Sequence, residues 1–146
     1  VAEEIIAQLP KAGACVAVIV GLSGTGKGTT VAKLQARLPD AVAWSNGNCF
    51  RALSLLAATH CELQGRAFDP QCLTAKNLSA WSEMLEFREF AGNFDICIRG
   101  LGIEACVSEI ANTLLKDPKV SRILPSVAQE TQGEVVRFAS GAVQRL

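Results

Sequence analysis

Between Cys15 and Val20 the chain reads CVAVIV, an apolar, largely β-branched run of strand length with no polar alternation. Such a run fits a strand buried on both faces, as in a parallel sheet. Gly21 to Gly26 interrupts it. The following TTVAKLQARL (29–38) has helical spacing, with Val31, Leu34 and Leu38 sharing one face. The pattern therefore predicts strand, glycine-rich loop and helix in that order.

Further along, the pattern predicts a mixture of helices and short strands. VAEEIIAQL (1–9) suits a short amphipathic turn or lead-in ended by Pro10, and AVAW (41–44) is a candidate second strand. SNGN (45–48) can cap a helix carrying ALSLLAA, residues 62–71 read as a loop, and Thr74 to Met84 as a helix. LEFREF (85–90) and FDICIR (94–99) alternate around Gly92-Asn93, the signature of a β-hairpin. Residues 104–116 have a helical pattern, Asp117-Pro118 opens another helix, and the stretch to Leu146 is long and amphipathic. This order predicts an α/β fold: a parallel sheet core flanked by helices, with a small helix–hairpin insertion. We divide it into a nucleotide-binding core (1–61), an insertion (62–103) and a helical return segment (104–146).

Composition narrows the classes. Of the 146 residues, 49% are hydrophobic and 19% charged, which fits one folded domain and argues against disorder. Fourteen basic and fourteen acidic side chains cancel, so the chain lacks the excess positive charge of a nucleic-acid binder. No apolar run has the length of a membrane span. The six cysteines form no CxxC pair or Cys/His cluster, and we expect them to be free thiols, five of them in apolar surroundings. His60 reads as a helix-end surface residue. The chain opens on Val1, which we read as a processed product or a piece of a longer protein.

The candidate chemistry lies in GLSGTGKGT, Gly21 to Thr29. A triphosphate must be held by donors that do not compete with water, and backbone N–H groups turned inward at Gly21, Gly24 and Gly26 form such a nest. The N-terminal end of the following helix adds positive charge. Lys27 reaches the β- and γ-phosphates, and Thr29 offers a hydroxyl in the first helical turn. Leu22, Ser23, Thr25 and Gly28 complete the loop. The alternative is a glycine-rich turn with no ligand; the GxxxxGK spacing between strand and helix patterns favours the phosphate loop. Gly28 occupies the slot where Ser or Thr usually ligates magnesium, and no side chain is assigned as a metal ligand.

The form GxxGxGKGT resembles that of nucleoside monophosphate kinases, and residues 15 to about 138 are loosely similar to the bacterial-type cytidylate kinase branch. There an aromatic-Arg pair opens the helix after the second strand; here Ser45-Asn46-Gly47-Asn48-Cys49-Phe50-Arg51 stands in that place. The resemblance implies that Arg51 grips the phosphate of CMP, that Ser45, Asn46 and Gly47 line its site, and that Lys27 is catalytic. It implies ATP and Mg2+ as cofactors, small-molecule nucleotides as partners, no nucleic-acid polymer or membrane, and a cytoplasmic (or organellar) monomer. Residues 73–100 have the layout of the family's insertion, and SEIAN (108–112) resembles its Glu-Val-x-Asn stretch. Leu22 stands for the usual Pro, Phe50 for Tyr, and Cys106 to Ser108 supply no arginine before that stretch. The family's Gly-Arg-Asp segment and lid arginines are expected after about residue 140, where SGAVQRL does not supply them. We therefore expect this chain alone to bind nucleotide better than it turns over.

The other polar residues carry plainer expectations. Arg88 and Arg99 are read as surface charges, Asp95 as solvent-facing, and Trp44 and Trp81 as packing residues. Adenylate and shikimate kinases share the loop and are competing enzyme readings. A GTP switch would carry Asn-Lys-x-Asp, which this sequence lacks. A nucleotide-binding but inactive kinase remnant is the reading from a different class.

Overall fold

The structure, a computed structural model, describes residues 1–22 and 24–146. They form two compact units, Val1–Ala43 and Trp44–Leu146.

The first unit contains two helices, α1 (Ala2–Gln8) and α2 (Lys27–Arg37). Glu3 and Glu4 in the first turn of α1 suit its positive end, and Glu3 also pairs with Arg37 in the last turn of α2. Both partners are exposed, so this pair adds little stability. Leu34 on α2 is the one buried side chain among the unit's described residues. The strand expected at 15–20 does not form: Val16, Val18 and Val20 are 68%, 79% and 84% exposed and the segment joins no ladder. Residues 41–44 are likewise outside any strand. The physical reason is that strand propensity alone leaves every backbone N–H and C=O unpaired; a strand needs a neighbour, and neither segment has one among the described residues.

The second unit is built around α3 (Asn46–Leu63), an 18-residue helix. Its Cys49, Ala52, Leu53, Leu55, Leu56, Ala57 and Cys61 are all buried, so it is covered nearly all round. Ser45 caps it, accepting from Asn48 N at 3.4 Å. The helix ends in a Schellman pair: Arg66 N donates to Cys61 O (3.1 Å) and Gly65 N to Glu62 O (2.9 Å). The expected loop at 62–71 is thus shortened by this last turn and by a 3-10 turn at Pro70–Cys72. Helix α4 (Ala75–Glu83), capped by Thr74, inserts Trp81, which is 1% exposed, into the same core. Burying one such large side chain stabilises by roughly 1.5–3 kcal/mol.

Three antiparallel strands follow in the order β1 (Leu85–Phe90), β2 (Asn93–Gly100) and β3 (Ile103–Cys106). This sheet is antiparallel and contains the hairpin expected of the insertion; the expected parallel core does not form among the described residues, where the fold is mixed α/β with seven helices. The hairpin forms, with Ala91 (φ 50°) and Gly92 (φ 81°) as its central residues instead of Gly92-Asn93. Strand β3 corrects the helix expected from Glu104. Leu101 (φ 51°) and Gly102 (φ 79°) make a second tight turn, and cross-strand pairing then overrides the local helical pattern. Only Val107–Ile110 (α5) and a 3-10 turn at Leu114–Lys116 remain helical there.

Helix α6 (Pro118–Glu130) starts at Pro118, with Asp117 Oδ1 accepting from Lys119 N at 2.9 Å. Its Lys119 pairs with Glu62 of α3 at 2.9 Å. Thr131, fully buried, donates its hydroxyl to Val127 O (2.6 Å) and breaks the long final stretch into α6 and α7 (Gln132–Val143). No helix among the described residues is long and apolar enough to cross a membrane.

Candidate functional site

The glycine-rich loop lies wholly in the first unit. Gly24 (φ 79°) and Gly26 (φ 84°) hold left-handed conformations that side chains rarely adopt, and Gly26 is the N-cap of α2. Thr25 closes the turn, its hydroxyl donating to Leu22 O at 2.7 Å. A Cβ on Gly21 would press on the Thr25 Oγ1 at 3.0 Å, so this close approach also suits glycine. Lys27 is the first residue of α2, and its Nζ donates to Gly21 O (2.7 Å) and Leu22 O (2.6 Å). The ammonium is thus folded back over the loop. Gly28 and Thr29 follow in the exposed first turn of the helix, and Leu22 is exposed. Ser23 lies outside the described residues.

The second group lies in the second unit, at the start of α3. Ser45, Gly47 and Arg51 come together: a Cβ on Gly47 would lie 3.2 Å from an Arg51 terminal nitrogen and 3.6 Å from Ser45 Oγ. The helix spacing i, i+4 brings the guanidinium back over the first turn, where the Asn46 and Gly47 N–H groups have no intrahelical acceptor. Arg51 is exposed and forms no ion pair among the described residues. Asn46 is engaged otherwise: its Oδ1 accepts from Trp44 Nε1 at 2.5 Å. Trp44 in turn packs on Phe87 (5.1 Å between ring centroids) and Phe138 (5.4 Å), so it anchors the approach to α3. The aromatic directly before SNGN was the available signal for that role.

Several expectations are corrected. Asp95 is half-buried rather than solvent-facing; its carboxylate accepts from Ile96 N (2.8 Å) and Ser108 N (2.9 Å). His60 is also half-buried, edge-on to Trp81 at 5.4 Å and bonded to Gln64 at 3.0 Å. Cys97 and Cys106 form a disulfide, while Cys49, Cys61 and Cys72 are buried free thiols and Cys15 is exposed. The pairing was hidden because β3 was not recognised; its register sets Cys97 directly opposite Cys106. Among the described residues no three His, Cys, Asp or Glu side chains converge as a metal site.

No protein-family model, no curated protein and no solved structure matches this chain.

Proposed function

We propose that the chain is a P-loop nucleoside monophosphate kinase of the (d)CMP type. In this reading it transfers the γ-phosphoryl group of ATP to CMP or dCMP, giving ADP and CDP or dCDP. The observation that carries it is Lys27 folded over a loop of left-handed glycines at the start of α2. Incoming phosphate oxygens would take the ammonium from the two carbonyls, exchanging neutral acceptors for charged ones. Backbone N–H groups of the loop and the positive end of α2 add to the attraction. The Thr29 hydroxyl would help hold Mg2+, which when bound supplies positive charge to the phosphates; transfer needs positioning and electrostatics rather than a covalent intermediate.

Arg51 would hold the acceptor phosphate in a fork, with Ser45 and Gly47 beneath it, and the open first turn of α3 would supply N–H donors. The reading also requires parallel neighbours for 15–20, and none is among the described residues. A role in pyrimidine nucleotide metabolism, in cytoplasm or an organelle, follows from the substrates.

A second reading is ATP binding without turnover; of the arginines in residues 104–146, Arg137 is paired with Glu134 at 2.6 Å. Calorimetry with ATP, followed by ADP release with CMP, dCMP, UMP, AMP or shikimate as acceptor, separates the readings. CMP- or dCMP-dependent ADP release supports the kinase, and preference for AMP or shikimate assigns another small-molecule kinase. Binding without acceptor-dependent release selects the inactive remnant. Absence of ATP binding removes all three.

A further inference from the structure

The three-stranded sheet has one face on the core and one open. Leu85, Ile96 and Ile98 belong to the core cluster, whereas the alternate positions Glu86, Arg88, Cys97, Arg99 and Cys106 point the other way. On that open face is a hollow of about 180 Å³, with both Cys97 and Cys106 in its lining. The two cysteines are 4% and 1% exposed, so the hollow is the approach to a bond otherwise shielded. Two arginines rim it, each facing a carboxylate: Arg88 lies 3.6 Å from Glu86 and Arg99 3.6 Å from Glu104. A third carboxylate, Glu109, also lines the hollow and accepts from Cys106 N at 2.7 Å. No cation pairs with Glu109 among the described residues, so the hollow carries one uncompensated negative charge.

We propose that the Cys97–Cys106 bond is a thiol–disulfide exchange site, opened by small aminothiols that enter this hollow. The chemistry is balanced by the thiol itself. A thiolate attacks Cys97 Sγ as the Cys97–Cys106 bond breaks; a mixed disulfide forms on Cys97 and Cys106 leaves as a thiolate, which takes up a proton. A second thiolate then attacks the small molecule's sulfur and releases the Cys97 thiolate. Two thiols are oxidised to one small disulfide, and the protein bond is reduced to two thiols. The unpaired Glu109 charge selects among thiols: it attracts an ammonium-bearing one and repels a carboxylate-bearing one. Arg88 and Arg99 do not reverse this preference because each is already faced by a glutamate.

The test uses the folded full chain. Accessible thiols such as Cys15 are first capped with N-ethylmaleimide. The protein then meets cysteamine or mercaptoacetate, is quenched with iodoacetamide, and is mapped by peptide mass spectrometry. Iodoacetamide should appear on both Cys97 and Cys106, at a rate linear in thiol concentration and with unchanged far-UV circular dichroism. Relative to an unstructured peptide disulfide at the same pH and low salt, cysteamine should lead mercaptoacetate by roughly two- to fivefold, the size of effect expected of one charge acting through water. Glu109→Gln should close that gap while keeping the acceptor for Cys106 N. Three results would overturn the proposal: maleimide on Cys97 or Cys106 before any thiol is added, a rate independent of thiol concentration, or no charge preference in the parent.

Discussion

Lys27 donates from Nζ to the carbonyl oxygen of Gly21 at 2.7 Å, so the helix's first side chain closes back on the loop that precedes it. Sequence places these residues six apart, but only the turn at Gly24 and Gly26 brings them together. The consequence is a cation already positioned over the loop before any anion arrives. Such preorganisation lowers the ordering cost of binding. Lys27→Ala should therefore weaken ATP binding by about 1.5–3 kcal/mol, roughly 10- to 150-fold, the usual cost of a hydrogen bond to a charged group. Calorimetry checks it. Lys27→Arg should recover only part, because the planar guanidinium cannot replace a point charge in this turn. Unchanged affinity in the alanine variant would sink the phosphate-loop reading.

Arg51 offers a separate test in the other unit. Its guanidinium lies beside Gly47, and a Gly47→Ala methyl would meet it at 3.2 Å. Arg51→Ala should weaken CMP binding by roughly tenfold or more while leaving ATP affinity within about twofold. Gly47→Ala should have the same sign and a smaller size, since the arginine can shift by a few tenths of an ångström. Titrations of each variant with CMP and ATP separately give the answer. Equal losses for both nucleotides would point to unfolding instead of a lost contact.

How far this was legible from the sequence depended on how local each signal was. Ser45, Thr74 and Asp117 cap their helices where cap chemistry places them, because a cap involves only the next two or three residues. The Leu85–Phe90 and Asn93–Gly100 hairpin was visible for the same reason. Residues 15–20 were not settled by pattern, since an apolar run says nothing about which strand lies beside it. Strand β3 was missed because four residues are too few for periodicity, and its pairing depends on Leu101 and Gly102 turning at positive φ. At the candidate sites, residue types were readable but partners were not. Asn46, expected to line a ligand site, accepts from Trp44 through its Oδ1, a contact that residue type alone did not announce.

Gly100 shows how tightly that turn region is packed. A Cβ there would lie 2.3 Å from Met84 Sδ and 2.5 Å from Met84 Cγ. Gly100→Ala must displace the Met84 side chain, and overpacking of this kind costs about 1–3 kcal/mol. The thermal midpoint should fall by roughly 2–4 °C for each kcal/mol lost in a chain of this size. The double variant with Met84→Ala should recover part of the loss, because the clash is gone although a small cavity remains. Additive losses in the pair would show that the strain lies elsewhere.

Alkaline pH should expose the cost of burying Cys49. This thiol sits on α3 with no exposed surface, and burial raises its pKa from 9.0 to about 12. Burial disfavours the thiolate, so the folded state keeps the proton after the unfolded chain has lost it. Between about pH 9 and pH 12 the unfolded state therefore binds fewer protons, and stability falls as pH rises. Each pH unit in that window costs about 1.4 kcal/mol from Cys49 alone, and nothing below it. Cys72, raised to about 11 chiefly by burial, adds a slope of the same sign over a shorter range. The chain has no tyrosine, which removes one group that would otherwise titrate in this window. Urea midpoints at pH 8, 9 and 10 for the parent and Cys49→Ala should show the variant losing less stability above pH 9. If the two curves run parallel there, the buried thiol is not what limits alkaline stability.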